Sequence, residues 1–371
     1  MANHQRNPRF RVIRSHFPPS ALFAVSLSAV LALSVVLALS TMLALSGCSF
    51  KQPSSSTSSR PIEEKPLMSE LPPFDDKWNY GDPAGTEAHF REVLANHSAA
   101  SVDFRAQLLS QIARCQGLQR QFDAAHSTLD DVSKLIEQEE GLVIARMRYL
   151  LERGRATNSG GNPQGSAVFF EEAFELGKSH RGKDVSNDGA RSLDFHLIDA
   201  AHMLAIVLPA EQQEPWARNA LELARSTSDP RAQGWRGALT NNLGWTYHEQ
   251  ERYDDALQLF EENELFWRDK DRPRNANIAR WSQARALRSL QRVEEALQMQ
   301  TRLLVEWAPE DGGPSGYVYE ELGECCLILG REDEARPHFA TAYEMLSKDD
   351  WLQANEKERL ERLAKLGGVE E

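Results

Sequence analysis

Beyond Gly81, apolar residues recur at spacings of three and four, and no stretch of any length alternates between apolar and polar residues as a strand would. A spacing of three and four places apolar side chains on one face of a helix, and that face is buried against a neighbouring helix. The pattern therefore predicts an all-α body that extends over residues 84–367.

The clearest pair of predicted helices lies between residues 242 and 260. The first helix carries Leu243, Gly244 and Tyr247 on one face, and the second carries Ala256 and Phe260 as its apolar stripe. This pair resembles the tetratricopeptide repeat, in which small residues let two antiparallel helices approach closely and large residues fill the space between hairpins.

The same arrangement recurs along the chain. The alanine at the predicted close contact of each second helix is, in chain order, Ala125, Ala167, Ala217, Ala256, Ala296 and Ala335. The intervals are 39 to 42 residues, with one of 50, and are longer than the 34 residues of the common repeat. The resemblance implies a right-handed superhelix of about six antiparallel helical hairpins, in which the first helices line the concave face.

The N-terminal residues 1–47 have the features of an export signal. Four arginines and no acidic residue precede an uncharged apolar run that ends at Leu45-Ser46-Gly47-Cys48, and the next charged residue is Lys51. These four residues resemble the bacterial lipobox, which implies a lipid on Cys48. The alternative is an uncleaved membrane helix, because the apolar run is long enough to span a bilayer. Both interpretations place the rest of the chain outside the cytoplasm.

Residues 48–83 are rich in serine and proline, a composition that buries too little apolar surface to offset the entropy of the chain. We interpret them as a flexible linker. Ser49 stands where enteric-type lipoproteins carry an aspartate for retention in the inner membrane. The resemblance therefore implies a bacterial lipoprotein of the outer membrane that faces the periplasm, and the uncleaved helix would instead place it in the inner membrane.

The charge of the chain excludes some classes of partner. The 371 residues include 42 lysines and arginines against 55 acidic residues, which gives a net charge of −13. Cleavage before Cys48 would remove four arginines and leave 38 basic residues against the same 55 acidic ones. An acidic body without interleaved basic and aromatic residues argues against nucleic acid as the partner.

The sequence contains no motif that indicates an enzyme or a bound cofactor. Nucleophile-elbow, Walker and dinucleotide-binding motifs are absent. His196, Asp199 and His202 are spaced by three residues on one predicted helix and could share a face that holds a divalent metal. Metal-binding helices more often place two histidines four residues apart, so we predict no metal here. A metal-dependent enzyme or enzyme subunit within residues 154–215 remains the alternative.

The cysteines that follow Cys48 are too few for a disulfide framework. Cys115 and Cys326 fall on first helices, where the repeat requires small packing residues, and Cys325 is adjacent to Cys326. Several hairpins separate Cys115 from the other two, which excludes a disulfide between them because its Cα atoms must lie within about 7 Å. We therefore predict buried structural thiols.

The candidate partner-binding residues lie on two consecutive first helices. They are Asn241, Asn242, Trp245, Trp281, Arg285 and Arg288. In tetratricopeptide proteins that bind peptides, an asparagine before the Leu-Gly pair bonds the peptide backbone, and Asn242 matches that place. We predict that these residues bind another protein or peptide of the cell envelope. Packing of the two tryptophans between hairpins, and a structural homo-oligomer, are the alternatives.

Overall fold

The computed structural model describes residues 72–183, 191–307 and 313–369. A single 3-10 turn, Asp75–Lys77, precedes the helices of this part of the chain. The first eight helices are α1 (Pro83–Asn96), α2 (Val102–Leu118), α3 (Phe122–Ile136), α4 (Val143–Ser159), α5 (Pro163–His180), α6 (Leu193–Val207), α7 (Ala210–Ser226) and α8 (Pro230–Gln233). The others are α9 (Trp235–Glu249), α10 (Tyr253–Asp269), α11 (Pro273–Ser289), α12 (Val293–Glu306), α13 (Gly316–Ile328), α14 (Glu332–Leu346), α15 (Asp350–Asn355) and α16 (Lys357–Gly367).

The helices pair into antiparallel hairpins that stack in chain order. The pairs are α2/α3, α4/α5, α6/α7, α9/α10, α11/α12 and α13/α14. Helix α1 packs against α2 at one end of the stack, and α16 packs against α14 at the other. The described residues contain helices and no strand, which confirms the predicted all-α superhelix of about six hairpins.

The two helices of a hairpin approach each other where a small residue meets a large one. A Cβ atom on Gly244 would lie 2.5 Å from the ring of Phe260, which is fully buried. Only glycine leaves room for that ring against the backbone of the first helix. The same pair recurs at the same spacing in two other hairpins, as Gly154 with Phe170 and Gly323 with Phe339.

Four of the six predicted contact alanines are buried as expected. These are Ala125, Ala256, Ala296 and Ala335, each the fourth residue of its helix. The prediction was wrong for Ala167, which is only partly buried, because α5 begins at Pro163 and its fourth residue is Ser166. Proline suits the first position of a helix and thereby sets where the helix begins. Ser166 is fully buried and occupies the place that was assigned to Ala167.

The prediction for Ala217 was also wrong. Helix α7 begins at Ala210, directly after Pro209, so Ala217 lies two turns into the helix and is only partly buried. The fully buried alanines of α7 are Ala220 and Ala224. The register of this hairpin therefore differs from that of the others.

The three cysteines in the described residues are buried and form no disulfide, which confirms the predicted packing role of Cys115 and Cys326; Cys325 is buried as well. Burial raises the pKa of Cys115 and of Cys325 to about 12, so both remain thiols at neutral pH. Residues 1–47 and Cys48 lie outside the described residues, as does most of the predicted linker. Within the described part of the chain, no helix is both long enough and apolar enough to span a membrane.

Candidate functional site

A row of aromatic rings runs across three consecutive first helices. The rings of Trp245 on α9 and Trp281 on α11 lie 5.6 Å apart between centroids and are tilted by 39°. The indole nitrogen of Trp281 donates a hydrogen bond of 3.1 Å to the carbonyl oxygen of Tyr317 on α13, and the two rings are 6.0 Å apart. Both tryptophans are half-buried, so the row serves packing between hairpins and is also accessible in part.

The arginines of α11 meet a single buried carboxylate. Arg285 donates one hydrogen bond of 2.7 Å to Glu321 on α13, and Arg288 donates two, of 2.7 and 3.0 Å, to the same carboxylate. Glu321 is 4% exposed. Burial raises the pKa of Glu321 to about 7, and Arg288 opposes that rise. The two predicted cations are thus held together by an acid of the neighbouring hairpin.

Asn241 and Asn242 occupy different environments one residue apart on α9. Asn241 is buried, its amide nitrogen donates a hydrogen bond of 3.4 Å to the side-chain oxygen of Asn242, and its own oxygen has no hydrogen-bond partner among the described residues. Asn242 is half-buried. Of the two asparagines, Asn242 is therefore the more accessible to a partner.

His248 lies at the α9 end of this row. Its Nε2 lies 2.9 Å from the hydroxyl of Ser289, and its ring contacts those of Trp245 and Tyr253. Burial, together with the nearby Arg288, lowers the pKa of His248 to about 4. The ring is therefore neutral at neutral pH. We name Trp245, His248, Trp281, Arg285, Arg288 and Glu321 the C-terminal cluster.

A second set of side chains joins the first helices of the N-terminal hairpins. Arg114 on α2 donates a hydrogen bond of 3.2 Å to Glu152 on α4. Arg155 on α4 donates one of 2.7 Å to Glu152 and one of 2.5 Å to Asp199 on α6. Burial alone would lower the pKa of Arg114, but Glu152 raises it above its ordinary value. These four residues form an ionic row of alternating charge.

The histidines next to this row do not combine with Asp199 as metal ligands. Asp199 accepts its hydrogen bond from Arg155, and the ring of His202 lies 5.3 Å from that of Trp235. His196 is 4% exposed, and neither of its ring nitrogens has a hydrogen-bond partner among the described residues. Burial, followed by Arg148, lowers its pKa well below the ordinary value. In the ranges that the structure describes, no group of three or more potential ligands is arranged to hold a metal.

Residues ahead of α1 pack onto the same helices. Phe74 and Asp75 are each 3% exposed. The Phe74 ring lies 5.5 Å from that of Phe104 on α2, and the guanidinium of Arg148 on α4 lies 5.3 Å from the centre of the Phe74 ring. Packing therefore begins before residue 84. We name residues 74–80 the N-terminal segment.

The rest of the N-terminal segment contacts α2. The indole nitrogen of Trp78 donates a hydrogen bond of 3.2 Å to Gln111, and its ring stacks on that of Tyr80 at 4.7 Å. The guanidinium of Arg114 lies 5.8 Å from the centre of the Tyr80 ring. The sequence held one signal for this packing, because three of the seven residues are aromatic, a density unlike that of the serine-rich residues before them.

Comparison with known proteins supports the repeat architecture. The family model of the tetratricopeptide repeat matches residues 237–263, which cover most of the α9/α10 hairpin. No curated protein matches the sequence.

Solved structures with the same fold include proteins from two different organisms. One is a signal-transduction ATPase with numerous domains and a tetratricopeptide repeat sensor from Pyrococcus horikoshii, which is 14% identical with a TM-score of 0.59. The match covers 78% of this chain and 43% of that one, so the chain spans less than half of that protein. The other is the apo form of the quorum sensor NprR from B. thuringiensis, which is 15% identical with a TM-score of 0.52 over 77% of each chain.

Proposed function

We propose that this protein is a non-enzymatic scaffold, anchored in the bacterial envelope by a lipid on Cys48, and that its C-terminal cluster binds an acidic segment of a partner protein in the periplasm. The observation that carries the proposal is the C-terminal cluster itself, where two partly exposed tryptophans lie side by side and two arginines follow the second tryptophan on the same helix, in a protein whose net charge is −13. Tryptophan and arginine are the side chains that most often dominate the energy of protein interfaces.

Arg285 is the side chain of the cluster best suited to meet a partner. It is 34% exposed and donates one hydrogen bond of 2.7 Å to Glu321. A guanidinium has five N–H donors in a planar fork, so one bond to Glu321 leaves further donors for a second carboxylate. Trp281, one turn earlier on α11, offers an aromatic face beside it. An acidic residue next to an apolar or aromatic one fits this pair.

Two substitutions at the cluster should change binding in opposite directions. We expect Arg285→Ala to weaken binding of the partner at least tenfold, because truncation of a central arginine costs about 2 kcal/mol or more. Glu321→Gln should strengthen binding, because it removes the internal carboxylate that competes for both arginines. Next to the cluster, Asn242→Ala should also weaken binding, because we propose that this asparagine bonds the partner's backbone.

The measurement is a calorimetric titration with a partner that photo-crosslinking in cells has joined to position 281. Arg274→Ala, at the other end of α11, serves as the control for general loss of positive charge. Wild-type affinity of Arg285→Ala, with an unchanged circular dichroism spectrum, would place the partner on another surface and refute the proposal for this cluster.

The lipid anchor has a separate test. Metabolic labelling with a radioactive fatty acid should mark the wild-type chain and leave Cys48→Ala unlabelled, because the thioether of Cys48 is the proposed attachment point. Equal labelling of both chains, or an intact N-terminus by mass spectrometry, would contradict the anchor and favour the uncleaved helix.

A further inference from the structure

The N-terminal segment lies across the first helices α2 and α4 and contacts them through its side chains, as a bound peptide would. Asp75 is its buried charge, and both terminal nitrogens of Arg148 donate hydrogen bonds to its carboxylate, one of them at 3.0 Å. The Nε of Arg191, just ahead of α6, lies 3.9 Å from the same carboxylate. Burial would raise the pKa of Asp75, but Arg148, Arg191 and Arg231 together lower it, so the residue is ionised.

The surface beneath the segment is basic. Glu152 and Asp199 are the carboxylates of the ionic row and already accept hydrogen bonds from Arg114 and Arg155. Arg148 forms its ion pair with Asp75, and its Nε has no hydrogen-bond partner among the described residues. Burial lowers the pKa of the nearby His196, and the positive charge of Arg148 lowers it further. Without Asp75, the surface would hold an excess of positive charge in a protein whose net charge is −13.

The segment is held by side chains that a peptide from another protein could also supply. Phe74 fills an apolar site between α1 and α2, where its ring lies 6.2 Å from Phe90 and 5.5 Å from Phe104. Asp75 supplies the carboxylate, and Trp78 supplies an indole hydrogen-bond donor. Recognition therefore requires an aromatic residue directly followed by an acid, with a second aromatic residue three positions after the acid.

We propose that the surface formed by α1, α2, α4 and the start of α6 is a second binding site, for a partner peptide of this aromatic-acidic pattern, and that the N-terminal segment occupies this site as an internal competitor. The segment is part of the same chain, so it faces the site at an effective concentration in the millimolar range. A partner must displace it, and the affinity measured for the partner is lowered accordingly. The site is separate from the C-terminal cluster and does not depend on the function proposed for that cluster.

The probe is a fluorescently labelled peptide of residues 72–81, titrated with the full chain and followed by fluorescence anisotropy. Wild-type protein should bind it weakly, because its own segment occupies the site. The double variant Phe74→Ser, Asp75→Asn should release the segment and bind the peptide at least tenfold more tightly. Addition of Arg148→Met to that variant should abolish binding. Asp76→Asn, which alters an exposed acid of the same turn, is the matched control and should behave as wild type.

Hydrogen exchange on the wild-type chain keeps the proposal testable if the double variant does not fold. Millimolar peptide should speed exchange of the amides of residues 74–80, because the internal segment is displaced. A peptide in which asparagine replaces the first of its two aspartates should not have this effect. Unchanged exchange at millimolar concentrations of the intact peptide would overturn the proposal.

Further measurements distinguish this site from the C-terminal cluster and from a purely structural segment. Arg285→Ala should leave binding of the peptide unchanged, so loss of the C-terminal site and loss of this one are distinguishable. If the folded double variant binds the peptide no more tightly than wild type, the segment is a structural element and no internal competitor. If wild-type chains form dimers by exchange of their segments in light scattering, the occupant is a second copy, which also refutes a partner peptide.

Discussion

Phe260→Ala should lower the free energy of unfolding by about 3–5 kcal/mol, the usual cost of removing a fully buried phenylalanine. The Phe260 ring lies against the backbone at Gly244 and 5.2 Å from the ring of Trp245. Gly244 has no side chain with which to fill the space that the ring would leave. Urea denaturation followed by far-ultraviolet circular dichroism measures the change.

Leu265→Ala is the matched control for this substitution. Leu265 lies on the same helix, α10, and is 61% exposed, so its replacement should change the unfolding free energy by less than about 0.5 kcal/mol. If the two variants lose the same stability, the ring does not fill the contact between the helices of this hairpin. The recurrence of a glycine opposite a phenylalanine in the hairpins would then not be explained by close packing of their helices.

Glu152→Ala should also lower the free energy of unfolding by about 3–5 kcal/mol, because it breaks a largely buried ion pair. The carboxylate of Glu152 accepts hydrogen bonds from Arg114 and Arg155, and Asp199 remains a partner only for Arg155. The variant therefore leaves the guanidinium of Arg114 without its carboxylate in a largely buried place. The same denaturation experiment applies.

An exposed ion pair gives the comparison for Glu152. Asp131, whose side chain is 66% exposed, pairs with Lys134 on the surface of α3. Surface pairs contribute about 0–1 kcal/mol, so Asp131→Ala should be nearly neutral. A loss below about 1 kcal/mol for Glu152→Ala would show that water reaches the ionic row and replaces the missing acid.

The hairpins could be predicted from the sequence where both residues of a close helix–helix contact lie within the same hairpin. Gly244 and Phe260 lie in one hairpin, so their spacing is visible in the sequence, and the structure bears out the pairing of their helices. The α4/α5 hairpin keeps the register of the others, with Ser166 as the fourth residue of α5, and the α6/α7 hairpin has a different register. Prolines move the starts of α5 and α7, and the buried residues shift to Ser166 and Ala220. An alanine alone does not mark the contact, because partly buried alanines occur next to fully buried ones.

The pairing of charges between hairpins could not be predicted in the same way. Arg285 and Arg288 were predicted as cations for a partner, and the sequence places Glu321 on the next first helix without indicating which of several acids faces them. Glu320 pairs instead with Arg359 on α16. These choices depend on the rotation of each helix relative to its neighbour. Whether the six predicted residues bind a partner stays a prediction.

The ion pair of Asp75 and Arg148 also has a consequence for how the chain folds. Stacked repeats contact only their neighbours, so each added hairpin requires the closure of a short loop. The hydrogen bond between Asp75 and Arg148 joins residues 73 positions apart and reaches past the α2/α3 hairpin to α4. It ties the N-terminal segment to the second hairpin, so we expect the α2/α3 hairpin and α4 to unfold as one cooperative unit.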